Sequence, residues 1–227
     1  GVISPWNYPF SIPFGEIIMG LMAGNAIIYK TSEETPFVGL EIEKALAAGG
    51  LPQGLTCFTM GDGPQISTSW LENGVNKIFF TGSVRVGKIL MKQAADTLTP
   101  LSLELGGNDP MIVMEDANLE RAANGALWAG LQNSGQSCAG VERVYVQESV
   151  KDEFIALLKN KIENLRHGVD TGNFKIDIGS MTVKRQLDVV RNHVEDALKK
   201  GATMEAQSVI LPPHSDQFYP ATLLTNV

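Results

Sequence analysis

The sequence has 227 residues, of which 44% are hydrophobic and 19% are charged. This composition is typical of globular proteins and excludes a disordered or fibrous chain. With 18 Lys and Arg residues against 25 Asp and Glu residues, the net charge is −7. Because the chain is acidic and has no basic cluster, we do not expect it to bind nucleic acid.

Cysteine usage and hydropathy give two further expectations. Two cysteines, Cys57 and Cys138, are too few for a disulfide framework, which favours a reducing, cytoplasmic setting. The apolar segment 12–30 contains a proline, a glutamate and three glycines, so its apolar stretches are too short to span a membrane. We therefore expect a helix followed by a strand there, and no membrane association. The start at Gly1 without Met or a signal-like pattern suggests an excerpt of a longer chain.

The first hundred residues alternate between short apolar runs and segments with helical spacing. Such alternation is typical of βαβ units and of a parallel sheet covered on both faces. Ligands bind at the carboxyl ends of the strands in these sheets, so the turns after Lys30, Met60 and Phe80 are the expected binding places. The sequence predicts a strand-like start at 1–4, strands at 25–30, 55–60 and 77–82, and helices at 35–50, 64–74 and 83–96. A further strand is predicted within "PLSLELGG" at 100–107.

After Gly106 and Gly107 the pattern changes, and we place a domain boundary there, giving domains 1–106 and 107–227. Asn118 is a plausible cap for the first helix of the second part. The final run "FYPATLLTNV" reads as a strand whose partner the sequence does not indicate. The second part is predicted to contain strands at 109–116 and 142–147 and helices at 118–133, 149–165 and near 182–200.

Cys138 lies in "LQNSGQSCAG", a small, polar and irregular segment at 131–140. A free cysteine is usually a small buried hydrophobe. A thiol on a loop can instead be a nucleophile that substrate reaches and its surroundings activate. The segment alone leaves both interpretations open.

Two strand-to-helix turns could hold a nucleotide. In "FFTGSVRVGK", Gly82 and Ser83 begin a helix whose free N–H groups suit a pyrophosphate, although the alternative is a packing glycine at a tight turn. In "YKTSEETP", Lys30 and Glu33 could hydrogen-bond ribose hydroxyls. The alternative there is a capping box in which Thr31 or Ser32 opens the next helix.

Two other segments carry groups suited to catalysis. In "PWNYPF" the prolines fix an irregular loop, so the Asn7 amide could stabilise an oxyanion, unless Trp6 and Phe10 simply anchor the loop. In "LSLELGGN", alternation places the leucines on one face of a strand and Glu104 on the other. A buried Glu104 would have a raised pKa suited to a general base, whereas on an edge strand it would face solvent.

Together "PWNYPF", "KTSE", "FTGSVRVG", "LELGGNDP" and "GQSC" resemble the NAD(P)-dependent aldehyde dehydrogenase superfamily over essentially the whole sequence. The resemblance implies an α/β fold, with a parallel Rossmann-like nucleotide-binding sheet in 1–106 and the start of a catalytic domain in 107–227. It implies that Cys138 attacks an aldehyde to form a thiohemiacetal, whose oxyanion Asn7 and the Cys138 N–H hold. Loss of hydride leaves a thioester, and Glu104 activates water to release the carboxylic acid.

The resemblance also implies a nicotinamide cofactor, no metal, a small-molecule aldehyde substrate and a homo-oligomer. We expect NAD to be preferred over NADP, because Glu33 would repel a 2′-phosphate. The family continues into an "EEIFGP"-like segment that is absent here, so we expect this excerpt not to be self-sufficient. A CoA-acylating enzyme and a non-catalytic descendant are the alternatives. The implied cofactor-binding residues are Ser4, Pro5, Trp6, Asn7, Lys30, Ser32, Glu33, Gly63, Phe80, Gly82, Ser83 and Leu105.

Overall fold

A computed structural model describes all 227 residues of the chain. The chain divides into two compact units, Gly1–Gly106 and Gly107–Val227. No helix in either unit combines the length and the apolar character that crossing a bilayer requires. The predicted α/β fold with a parallel sheet is confirmed.

The first unit is built on a five-stranded sheet in the order β3-β2-β1-β4-β5, in which every neighbouring pair is parallel. Every strand and helix predicted here from the alternation is present, with ends that differ by a few residues. The elements are β1 (Val2–Ile3), α1 (Ser11–Met22), β2 (Ile27–Lys30), α2 (Pro36–Ala48), β3 (Thr56–Thr59), α3 (Gly63–Glu72), β4 (Ile78–Thr81), α4 (Val84–Ala95) and β5 (Leu101–Glu104).

Helices cover both faces of this sheet, as the near-continuous apolar strands predict. On one face, Phe80 of β4 belongs to a buried cluster with residues of α3 and α4, including Trp70 and Leu90. On the other face, Phe79 packs against a cluster that contains Ile17 of α1 and residues of α2. Successive residues of β4 therefore serve opposite cores, which fixes which side chains share a face.

The order of the strands reverses direction between β1 and β4, the point at which ligands bind in open α/β sheets. The segments that leave the carboxyl ends of β1, β2, β4 and β5 contain the residues singled out in the sequence. The topology thus places the candidate cofactor-binding residues of this unit at the carboxyl ends of its parallel strands.

The second unit contains two small sheets packed with helices around a core that includes Val113, Phe154 and Leu158. The parallel pair β6-β7 and the antiparallel pair β8-β9 are separate sheets. Asn118 caps α5 as predicted, since its side chain accepts a hydrogen bond from the Arg121 N–H at 2.9 Å. The elements are β6 (Asp109–Val113), α5 (Leu119–Leu131), β7 (Val141–Val146), α6 (Lys151–Glu163), α7 (Lys184–Lys199), β8 (Thr203–Gln207) and β9 (Thr222–Thr225), with short 3-10 helices at Gln132–Gly135 and Glu148–Val150.

Candidate active site

Lys30, Glu33 and Gly63 form one cluster at the carboxyl edge of the first unit's sheet. The Lys30 ammonium lies 2.7 Å from Oε1 of Glu33 and also donates to the Thr31 carbonyl at 3.1 Å. The Lys30 side chain is 4% exposed, whereas that of Glu33 is 59% exposed. The lysine is thus held under the turn, and the carboxylate is presented to solvent.

The surroundings of Glu33 keep it ionised. Partial burial raises the pKa of this carboxyl, but hydrogen bonds from the Lys30 ammonium and from the backbone N–H groups of Glu33 and Gly63 outweigh that effect. The pKa of Glu33 therefore lies below its usual value, and the group carries a negative charge at neutral pH.

The capping-box alternative for "YKTSEETP" is wrong, because α2 begins at Pro36 and its N-cap position is Thr35. Ser32 instead accepts a hydrogen bond from the Glu34 N–H at 3.2 Å within the turn. Ser4 lies beside this cluster, since its N–H donates to the Lys30 carbonyl at 3.0 Å. Ser4 and Ser32 are both buried, so they contribute to the packing at the carboxyl ends of β1 and β2.

The turn after β4 has features of both a pyrophosphate-binding helix start and a tight turn with a packing glycine. Ser83 is the N-cap of α4, and its hydroxyl accepts from the Val86 N–H at 3.3 Å. A Cβ on Gly82 would lie 2.6 Å from Phe80, and one on Gly87 would lie 2.9 Å from a methyl of Leu105. Close packing therefore favours glycine at both positions. The turn also presents the start of a twelve-residue helix at the carboxyl ends of the strands, where ligands bind.

The Pro5–Phe10 segment is irregular, as its prolines predict, and lies between β1 and α1. Pro5, Trp6 and Asn7 are each half-buried in it. Phe10 stacks on Phe14 of α1 with ring centroids 4.9 Å apart. This contact ties the end of the loop to the helix and leaves the short Asn7 segment held at both ends.

Glu104 is the last residue of β5 and is exposed. The expectation of a buried carboxylate is therefore wrong for this structure, and the edge-strand alternative is confirmed. The physical reason is position, because β5 has a neighbour on one side only and Glu104 lies at its end. The predicted alternation holds: Leu101, Leu103 and Leu105 all pack against the α3–α4 cluster.

Cys138 is exposed and lies in a turn between a 3-10 helix and β7. Just before it, Asn133, Ser134 and Gly135 have φ angles of 51°, 59° and 73°. Left-handed backbone suits glycine but costs an ordinary residue roughly 1 kcal/mol or more. Two such residues in succession mark a strained segment, a feature that recurs at functional sites.

Gln136 fastens this strained segment, and sequence reasoning did not single it out. Its side chain is buried, accepts from the Thr182 N–H at 2.8 Å and donates to the Asn133 carbonyl at 2.8 Å. Ser134 adds a hydrogen bond to the Gly179 carbonyl at 3.0 Å. A hydrogen bond between residues 46 positions apart leaves no local pattern in the sequence. The only local signal is the small and polar composition of "NSGQSC".

No cluster of three or more His, Cys, Asp or Glu side chains in the structure is arranged to hold a metal ion.

The family model for the aldehyde dehydrogenase family matches residues 1–227. The chain belongs to the aldehyde dehydrogenase family.

Known members resemble the chain over its whole length. A protein of Mycolicibacterium smegmatis named putative succinate-semialdehyde dehydrogenase (NADP+) is 40% identical over 227 residues, which are 100% of this chain and 44% of that protein. The crystal structure of succinate-semialdehyde dehydrogenase from Burkholderia pseudomallei matches with a TM-score of 0.92 and 35% identity, over 100% of this chain and 47% of the other. The NAD+ complex of aldehyde dehydrogenase from Bacillus cereus matches with a TM-score of 0.90 and 31% identity, over 100% and 46%. The chain spans less than half the length of these relatives.

Gly107 is a further residue that supports the cysteine turn. A Cβ there would lie 3.0 Å from the backbone carbonyl of Cys138 and 2.7 Å from Oδ1 of Asp109. The Asp109 side chain can rotate, but the carbonyl can move only if the turn moves. Gly107 thus sets how closely its own backbone approaches the Cys138 turn.

We expect Gly107→Ala to lower the rate of NAD(P)H formation by the full-length protein about tenfold, because the turn must shift by a fraction of an ångström and a displacement of about 1 Å can cost roughly a hundredfold. Gly106→Ala is the matched control, since a Cβ at Gly106 meets nothing within 4 Å. Pre-steady-state absorbance at 340 nm measures both variants. Equal rates for the two would show that Gly107 does not position the turn.

Proposed function

We propose that the full-length protein oxidises an aldehyde to a carboxylic acid with NAD or NADP. The observation that carries this proposal is Cys138, an exposed thiol on a strained segment that Gln136 and Ser134 fasten in place. A cysteine with only a packing role would require neither the strained backbone nor the long-range hydrogen bonds. In this proposal, Gly1–Gly106 binds the cofactor and Gly107–Val227 carries the nucleophile.

The residues at the edge of the first sheet fit a dinucleotide. Glu33, held by Lys30 and Gly63, offers an ionised acceptor for ribose hydroxyls. The start of α4 at Ser83 offers backbone N–H groups to a pyrophosphate. A nicotinamide cofactor bound there would supply the acceptor for the hydride that the substrate loses.

Cys138 and Asn7 act on the aldehyde in the first half of the proposed reaction. The Cys138 thiol loses its proton to solvent, its sulfur forms a bond to the carbonyl carbon, and the carbonyl oxygen takes up the negative charge. The Asn7 amide and the Cys138 N–H donate hydrogen bonds to that oxygen, a contribution that commonly lowers the barrier by a few kcal/mol. Loss of hydride then leaves the acyl group bound to sulfur as a thioester.

Glu104 acts in the second half. Its carboxylate accepts a proton from a water molecule while the water oxygen bonds to the thioester carbon. The carbon–sulfur bond breaks, the acid leaves, and the proton passes from Glu104 to the Cys138 sulfur, which restores both groups. The exposed position of Glu104 suits this task, because the group must meet a fresh water molecule in every cycle.

An assay of the full-length protein tests this function. We expect NAD(P)H formation with at least one member of an aldehyde panel that includes succinate semialdehyde and long apolar aldehydes, and a free acid as product. Added CoA separates the CoA-acylating alternative, which would give an acyl-CoA in place of the acid. Absence of turnover with every aldehyde, despite cofactor binding, would support the non-catalytic alternative.

Cofactor choice follows from the charge of Glu33. We propose that NAD is preferred, because the ionised carboxylate accepts hydrogen bonds from a 2′-hydroxyl and repels a 2′-phosphate. Removing the charge also frees the Lys30 ammonium to pair with a phosphate.

Glu33→Gln should therefore shift the ratio of kcat/KM for NADP to that for NAD upwards by about tenfold or more. Glu34→Gln, with the same charge change one residue along, is the control and should leave the ratio near that of the parent. A parent protein that prefers NADP would refute this preference; the name of the Mycolicibacterium relative contains NADP+.

A further inference from the structure

His167 is a buried histidine of the second unit that takes no part in the reaction proposed above. The residue is only 1% exposed. Its backbone forms bridges on both sides, to Ile178 and to Ile210, so three distant stretches of the chain meet at this point. An imidazole in such a place lowers stability unless its ring nitrogens have hydrogen-bond partners.

The partners of the two ring nitrogens determine which nitrogen carries the proton. Nε2 of His167 lies 3.3 Å from the carbonyl oxygen of Gly179. A carbonyl oxygen can only accept, so Nε2 carries the hydrogen and donates it. Nδ1 lies 2.9 Å from the Ser208 hydroxyl, which donates to it. The Ser208 oxygen in turn accepts from the Ala221 N–H at 2.9 Å, which fixes the hydroxyl in place.

The surroundings keep this imidazole neutral. Burial, the largest influence, lowers the pKa of His167, and His214 acts in the same direction. The hydrogen bond to the Gly179 carbonyl acts in the opposite direction and is outweighed. The ring therefore presents one fixed N–H donor to Gly179 at neutral pH.

The Gly179 carbonyl also binds the cysteine turn. The Ser134 hydroxyl donates to it at 3.0 Å, so Ser134 and His167 share one acceptor. A carbonyl oxygen has two lone pairs and can accept both hydrogen bonds. Ser134 belongs to the strained left-handed segment just before Cys138. The histidine and the strained segment are thus connected through a single atom.

Residues 179–182 form the outer support of the cysteine turn. The Thr182 N–H donates to the side chain of Gln136, so a second long-range bond of the turn ends three residues after Gly179. The far end of this support is held by Gln217, whose carbonyl accepts from the Met181 N–H at 2.8 Å. Left-handed backbone persists only where its surroundings determine it, so the shape of the turn depends on how firmly residues 179–182 are held.

We propose that His167 is a positioning residue for the cysteine turn: its Nε2–H fixes the Gly179 carbonyl to which Ser134 is bound. This proposal rests on the role of Cys138 as the nucleophile in the proposed function. Without the bond from His167, the support and the turn can shift together. Even a shift of a fraction of an ångström slows attack on the aldehyde, because the sulfur must lie close to its reacting position.

Two amide variants of the full-length protein separate the two ring nitrogens. The amide nitrogen of glutamine reaches the place of Nε2, whereas that of asparagine reaches only the place of Nδ1. His167→Asn should therefore slow the burst of NAD(P)H about tenfold with KM for NAD+ unchanged, and His167→Gln should keep the burst within about twofold of the parent's. His193→Asn, the same replacement at an exposed position of α7, is the control. A burst that both His167 variants slow equally, or that neither slows, would overturn the proposal.

Ser134→Ala tests the same connection without a change in the core, since Ser134 is only half-buried. It should slow the burst about tenfold while Tm stays near that of the parent. Combined with His167→Asn, its effect should be less than additive, because both changes break one connection. An unchanged burst in Ser134→Ala, or fully additive losses in the double variant, would overturn the proposal.

Amide hydrogen exchange gives a readout that does not depend on activity. The peptide that covers residues 131–140 should exchange faster in His167→Asn than in the parent and His167→Gln, whereas a peptide from α4 should be unchanged in all three. Equal exchange of the 131–140 peptide in the three proteins would overturn the positioning role even if aldehyde oxidation is confirmed. A parent without aldehyde oxidation would refute the proposed function instead, and the exchange result would still show whether His167 holds the turn.

Discussion

Cys138→Ala should lower aldehyde oxidation by the full-length protein about a thousandfold or more, while cofactor binding stays close to that of the parent. The size of the loss follows from the chemistry, because without the sulfur no covalent intermediate can form, and loss of a nucleophile typically removes most of the rate enhancement. The exposed position of Cys138 means that the smaller side chain opens no cavity in the core. The measurement is kcat/KM together with fluorescence titration of NAD(P)H.

Cys57→Ala is the matched control for this variant. Cys57 is also an exposed free thiol, but it lies in the edge strand β3, and we assign it no role in the chemistry. Its replacement should leave kcat/KM within about twofold of the parent, as is usual for surface positions away from a site. If Cys138→Ala retains activity within about tenfold of the parent, the thiol is not the nucleophile.

Glu104→Gln should separate the two halves of the reaction. One equivalent of NAD(P)H should appear rapidly, followed by turnover that is slower than that of the parent by about a hundredfold or more, the usual contribution of a general base. Glutamine keeps the shape of the side chain but cannot accept the proton of water, so the thioester accumulates. Stopped-flow absorbance at 340 nm resolves the burst from the slow phase.

Ser102→Ala controls for disturbance of β5, because Ser102 lies in the same strand and on the same face as Glu104. It should leave both the burst and the steady-state rate intact. A Glu104→Gln variant that loses the burst while folding normally would instead assign Glu104 to deprotonation of the thiol.

The architecture of the first unit could be predicted because its signals are local. Short apolar runs such as "IFFT" and "AIIYK" alternate with helical spacing, and a parallel sheet needs such fully buried strands. The pairing of β8 with the final strand was not predicted, since "TMEAQ" mixes polar and apolar residues without a clear period. Antiparallel pairing of two strands separated by 14 residues leaves no mark in either segment alone.

The candidate site was predictable in its residue types and less so in its geometry. Proximity in sequence placed Lys30 and Glu33 together, and the structure joins them in an ion pair. The exposure of Glu104 depends on which strand ends the sheet, and the sequence does not state that order. The role of Gln136 depends on a contact with Thr182, 46 residues away.

Peptide mass mapping of Glu104→Gln offers the most direct test of the nucleophile. The full-length variant is mixed with a substrate aldehyde and NAD+, quenched in acid within the burst and digested with protease. We predict one acyl group on the peptide that contains Cys138 and none on the peptide that contains Cys57, with no adduct when NAD+ is omitted. An acyl group on any other residue, or a complete burst of NADH without an adduct on Cys138, would contradict the proposed chemistry.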